Sequence, residues 1–125
     1  MAVSENRKRE LEERAAKYMD QVEVGSIFVS SWGYEQTNVD FYQVTRKTEK
    51  TITLREIKQL TCETAWCQHE VYPIKDAFEE RPILFPAKGK RCKMLGYSDR
   101  PMVSLTSYAN AYLWDGKVEH ATSWA

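Results

Sequence analysis

Val39-Asp40-Phe41-Tyr42-Gln43-Val44-Thr45 is followed, past Arg46 and the polar tetrad Lys47-Thr48-Glu49-Lys50, by Thr51-Ile52-Thr53-Leu54-Arg55-Glu56-Ile57. Two β-branched and aromatic runs joined by a short polar segment read as a β-hairpin. Ile52 and Leu54 share one face of the second run, and Ile57 has the opposite parity. That predicts a bulge or a strand end near Arg55.

The period of two extends outward from this hairpin. Upstream, Ile27-Phe28-Val29 opens a strand that runs to Trp32 and breaks at Gly33. Downstream, residues 70–72 read as a short strand stopped by Pro73. Residues 73–86 read as a proline-rich loop with one helical turn at 75–79. Residues 91–95 and 101–106 read as strands joined by Gly96-Tyr97-Ser98-Asp99. Residues 108–114 form a further strand, and Asp115-Gly116 predicts a hairpin turn into a returning strand over 118–124.

The opening of the chain follows a different period. Leu11, Ala15, Tyr18, Met19 and Val22 fall on one helical face over residues 4–21. Ser4 suits the N-cap, and Glu10 with Arg14 and Glu13 with Lys17 are favourable i,i+4 pairs. The expected fold is α+β: an N-terminal amphipathic helix within residues 1–23, then a small, mostly antiparallel β-barrel or strongly bent sheet over 24–125. The whole forms one domain. The helix plugs one end of the sheet or covers one face. An exposed Tyr18/Met19 stripe would favour a homodimer.

The chain has 125 residues, with 18 Lys+Arg against 18 Asp+Glu. Neutrality argues against coating nucleic acid by bulk charge. No run reaches the ~18 apolar residues of a membrane helix, so no membrane partner is expected. The charge-dense opening does not read as a secretory signal. Three Cys, an odd count, argues against a disulfide framework. The neutral total hides a basic cluster at Lys88, Lys90, Arg91 and Lys93.

Three constellations carry functional readings. In the first, Trp32, Tyr34, Gln36, Asn38, Asp40 and Tyr42 join aromatic area to directed hydrogen-bonding groups, a composition suited to a partner protein. Its alternative is a tight bend at Gly33 whose polar side chains satisfy backbone groups. The second is the alternation Tyr108, Tyr112, Trp114 against Ala109, Ala111, Leu113. With Lys88, Lys90, Arg91 and Lys93, its aromatic face would suit a single-stranded nucleic acid. Its alternative is an aromatic barrel core with the alanines outside. The third is Cys62, Cys67, His69 and Cys92, three thiols and one imidazole with the chemistry of a tetrahedral zinc site; its alternative is ordinary reduced cysteines, with Cys92 packed in the sheet and His69 at the surface. Its Cys-x4-Cys-x-His spacing departs from the common zinc forms, so neither metal nor other cofactor is expected. There is no phosphate loop, nucleophile elbow or His-Glu-x-x-His helix, so no enzyme is expected.

The Trp-Gly-Tyr-Glu-Gln-Thr-Asn-Val-Asp-Phe-Tyr-Gln-Val block at 32–44 resembles small proteins encoded by bacteriophages and other mobile elements. So do Lys-Thr-Ile-Thr-Leu-Arg-Glu-Ile at 50–57 and Ser-Tyr-Ala-Asn-Ala-Tyr-Leu-Trp-Asp-Gly-Lys at 107–117. The resemblance implies a phage or plasmid context and a cytoplasmic site of action in a bacterial host. It also implies a non-enzymatic binding role toward a host protein, including defence machinery such as restriction or CRISPR systems.

Overall fold

The computed structural model describes residues 2–32, 38–66, 68–80, 88–106, 109–117 and 119–122. Helix α1 spans Ala2–Gln21. Eight strands follow among the described residues: β1 Ile27–Trp32, β2 Asn38–Lys47, β3 Thr51–Ala65, β4 Gln68–Phe78, β5 Lys90–Leu95, β6 Met102–Thr106, β7 Ala109–Leu113 and β8 Glu119–Thr122. They form one sheet in the order β2-β1-β7-β6-β5-β3-β4-β8, with a further β2–β3 pairing. That pairing closes β1, β2, β3, β5, β6 and β7 into a hydrogen-bonded ring. The ring is not a regular barrel, because β3 runs on beyond it and carries β4 and β8 as an arm. All the pairings are antiparallel.

The expected β2–β3 hairpin forms. Thr48 Oγ1 accepts from the Thr51 N–H at 3.1 Å, and the Thr48 N–H donates to the Thr51 carbonyl at 2.9 Å. Alternation then sorts side chains to two cores. Phe28, Tyr42, Val44, Ile52, Leu54, Cys92, Met94, Val103, Leu105 and Ala111 fill the ring, and Tyr18, Met19 and Val22 of α1 join them from one end. Val29, Val39, Phe41, Ile57 and Val71 form a second cluster on the outside of the ring, against Trp114 and Ala121. Ile57 owes its opposite parity to this second core. Its register with Phe41 continues through the pair Gln43–Arg55, and the irregularity expected near Arg55 lies beside it, as a shift on β2 between Val44 and Arg46 opposite Leu54 and Thr53; β3 is buried on both faces there.

The helix docks because Gly96 has no side chain. A Cβ at Gly96 would lie 2.2 Å from the Leu11 carbonyl oxygen. Arg14 Nη1 donates to the Gly96 carbonyl at 3.1 Å, and Tyr18 Oη donates to the Ser98 carbonyl at 2.5 Å. Tyr18 and Met19 are buried by this contact, so the exposed stripe on which a homodimer was expected is not there.

Two strand expectations are corrected. β4 does not stop at Pro73; it continues to Phe78. Pro73 pairs with Gln59 of β3, and among the described residues Val71 is the last paired with β8, so a missing N–H is tolerated there. Between the pairs Gln59–Pro73 and Ile57–Phe78, four residues of β4 face one of β3, which replaces the expected helical turn with a wide bulge. The strand after Asp115-Gly116 does not return to β7. Both edges of β7 are taken, by β1 and β6, so β8 pairs with β4 instead.

Candidate functional site

The first constellation does not form a surface among the described residues. Tyr42 is 4% exposed and lies in the ring interior between Phe28 and Glu56, so it cannot be the partner contact expected of it. Asp40 shares that inward face, across from the buried Ser30. Asn38 and Asp40 are half-buried. Tyr34, Gln36 and the side chain of Trp32 lie outside the described residues.

The inward face instead gathers polar groups at the end of the ring away from α1. Burial, then the nearby carboxylates Asp40 and Glu79, pushes the Glu56 carboxyl up to about 7. Burial, then Asp40 and Glu56, raises the Tyr42 phenol. Lys90 reaches the same end and donates through Nζ to the Leu105 carbonyl at 2.5 Å. Perturbed carboxyls mark functional sites and structural clusters alike. This one follows first from burial and then from the like charges that share one half-buried face.

The second constellation divides. Lys90 is exposed but starts on the inward face shared with Cys92, whereas Arg91 and Lys93 are exposed on the outward face. Lys88 is exposed just before Gly89. Ala109 and Ala111 face the ring interior, where Phe28, Tyr42 and Met94 take the volume; the alternative that put alanines outside is reversed. Tyr112 and Trp114 therefore lie outside the ring, but their rings are engaged. The Arg100 guanidinium sits 4.9 Å from the centre of the Tyr112 ring. Trp114 packs edge-on to Phe41 at 6.0 Å, and its Nε1–H donates to the Lys117 carbonyl at 2.7 Å. Tyr108 lies outside the described residues.

The zinc set is not brought together. Cys92 is buried in the ring and pairs in register with Ile52, ten residues along β3 from the exposed Cys62. His69 is on β4, and Cys67 lies outside the described residues. Among the described residues, no group of three His, Cys, Asp or Glu side chains is placed to hold a metal ion.

The surface that stands out is the outer face of the β3–β4 arm. Leu60 and Tyr72 are directly opposed across the two strands and are 55% and 36% exposed. Ile74 follows two residues on, 42% exposed, and Trp66 in the turn at the tip is 79% exposed. Val71, between Tyr72 and Glu70, turns to the second core, so one side of the arm is anchored and the other faces water. Large apolar side chains grouped on one exposed face mark a contact surface. Tyr72 Oη donates to Glu70 Oε2 at 2.9 Å, which holds the carboxylate beside the ring; that bond raises the Tyr72 phenol.

The sequence reading missed this face because it ended β3 at Ile57 and β4 at Pro73. The available signal was Leu60, Cys62, Tyr72 and Ile74 at even positions flanking Trp66.

No protein-family model matches the chain, and no curated protein or solved structure matches it. Among the described residues no helix is long and apolar enough to cross a membrane.

Proposed function

We propose that the chain is a non-enzymatic binding protein of phage or mobile-element origin that engages a host protein and interferes with a defence system. Its contact surface is the outer face of the β3–β4 arm. The observation that carries this reading is the opposed, exposed pair Leu60 and Tyr72, continued by Ile74 and Trp66. A few aromatic and aliphatic anchors of this kind supply most of the energy of a protein interface. The origin and the defence setting rest on the resemblance of the 32–44, 50–57 and 107–117 blocks.

A second reading, single-stranded nucleic acid binding, is favoured by Arg91 and Lys93 on the outer face of β5, next to the exposed Ser104 and Asn110. It is weakened by the engagement of Tyr112 and Trp114 within the protein.

Co-purification from nuclease-treated host extract tests the two. The first reading expects a stoichiometric host protein that is lost with Leu60→Ser/Tyr72→Ser while the fold is kept. Recovery of nucleic acid alone, lost with Arg91→Ala/Lys93→Ala, supports the second.

A further inference from the structure

We infer that the outer face of β2, β3 and β5 beside the β2–β3 turn binds the phosphate backbone of duplex nucleic acid without reading its bases. This goes beyond the proposed function and uses a different face from the arm.

Register is the first argument. The outer side of β2 and β3 changes character along its length. Val39, Phe41 and Ile57 belong to the second core, where Val71 and Ala121 of the arm cover them. Toward the β2–β3 turn the same side is basic. Arg46, Thr53 and Arg91 lie side by side across β2, β3 and β5, and Lys93 lies beside Thr51. Gln43 pairs with Arg55, and Gly89 lies so close to that arginine that a Cβ would come within 2.8 Å of its Cγ. Arg46, Arg91 and Lys93 are exposed, and Thr51, Thr53 and Arg55 are half-buried. No Asp or Glu occupies any of these positions. β4 brings the acid Asp76 to Gln43 and the cation Lys75 to Gly25, which balance each other. The turn carries Lys47 and Lys50 against Glu49. The strand cations therefore stand as a local excess inside a chain of 18 Lys+Arg and 18 Asp+Glu.

Chemistry is the second argument. Neighbouring strands lie ~4.8 Å apart, so the backbones of Arg46 and Arg91 stand about 10 Å apart with Thr53 between them, and Lys93 follows Arg91 by about 7 Å. Guanidinium, ammonium and hydroxyl groups at such spacings are donors to phosphate oxygens, contacts that position a duplex without reading its sequence. Arg55 is held on the Phe78 ring at 4.3 Å, and its buried Nε has no hydrogen-bond partner among the described residues. The occupant follows from what this face lacks. None of these outward positions holds an aromatic ring or an aliphatic side chain, so a protein finds no anchor and a single strand finds no stacking platform. Tyr112 and Trp114, which might have stacked bases, are engaged within the protein. Phosphate charge is what remains to be recognised, and it is densest on a duplex, one charge per ~1.7 Å of axis.

The probe is a fluorescein-labelled, mixed-sequence DNA duplex of about twenty base pairs, titrated with the full chain and read by anisotropy at several salt concentrations. About four phosphate contacts predict that log affinity falls against log salt with a slope of roughly −3.6, on the order of a hundredfold between about 50 and 200 mM. A second duplex of unrelated sequence should bind within about twofold. Arg46→Ala and Arg91→Ala should each make the slope shallower by about 1 with unchanged unfolding midpoints, while Arg9→Ala on α1 leaves it as it was. Leu60→Ser/Tyr72→Ser should keep full duplex affinity, so the arm and this face stand or fall separately. No saturable binding at the lowest salt overturns the inference, and so does a slope that Arg46→Ala and Arg91→Ala leave unmoved. Binding of the matching single strand about tenfold tighter overturns it in favour of base stacking. Binding of a polyglutamate peptide as tight as that of the duplex overturns it in favour of an acidic protein.

Discussion

Gln43 grips Asp76 at two points. Gln43 Nε2 donates to Asp76 Oδ1 at 2.8 Å, and the Asp76 backbone N–H donates to Gln43 Oε1 at 2.8 Å. Gln43 is 4% exposed and sits on β2, within the ring. Asp76 has φ 66°, in the left-handed region, at the wide bulge of β4. One buried amide thus ties the root of the arm to the ring and holds a strained backbone that Asp tolerates better than most residues. Gln43→Ala should lose about 1–3 kcal/mol in urea unfolding, because it strands a backbone donor as well as a side chain. Asp76→Asn keeps the acceptor and the turn preference and should stay within about 0.5 kcal/mol of wild type.

Gly96 sets how closely the helix can lie. An alanine methyl there would overlap the Leu11 carbonyl, backbone that cannot swing aside. Gly96→Ala should cost about 1–3 kcal/mol as the helix shifts. It should also speed tryptic cleavage at Arg7, Lys8, Arg9 and Lys17, followed by mass spectrometry. Unchanged cleavage would mean that the helix is not held by this contact.

The Glu56 carboxyl gives stability a definite slope with pH. Its folded value of about 7 lies above the unfolded value of 4.5, so the folded state binds the extra proton between them. Stability from this group is therefore full below pH 4.5 and is lost as pH rises through 7. Screening at a half-buried site reduces the effect to on the order of 1–2 kcal/mol. Glu56→Gln should flatten the unfolding curve between pH 5 and 8 and be the more stable form at pH 8. A wild-type midpoint that rises across that range contradicts the assignment.

The two described thiols should differ sharply. Cys62 is exposed on the arm, whereas Cys92 is buried in the ring, and that burial raises its thiol further from the reactive thiolate. In a Cys67→Ser background, one thiol should react with a chromogenic disulfide reagent within minutes. The second should react only in denaturant. Two fast thiols would show that β5 does not sit as described.

Much of the fold was legible in local pattern. The helix face from Leu11 to Val22, the polar tetrad before Thr51 and the β-branched runs around it each fix an element without help from distant residues. The strand partners were not legible, because they depend on which edges remain free. The chain bends at Gly116 with φ 87°, yet no hairpin forms, and β8 goes to β4 because both edges of β7 are taken by β1 and β6. Ile57 looked like an irregularity because a second core outside the ring cannot be seen from one strand. The site was legible only in composition. Trp32, Asn38, Asp40 and Tyr42 have the chemistry of a contact surface, and only the ring closure shows Tyr42 and Asp40 turned inward. Leu60, Tyr72 and Ile74 gave an alternating signal that Pro73 seemed to cut short.

The central claim is that partner contact runs through the outer face of the arm. Its most direct test replaces Tyr72, or Asn110 as a control on the outer face of β7, with a photo-crosslinking phenylalanine analogue. The protein is irradiated in the bacterial host, and the extract is then treated with nuclease. The account predicts one host-protein adduct from position 72 and none from position 110. An adduct from 110 without one from 72, or no protein adduct at either, would contradict it.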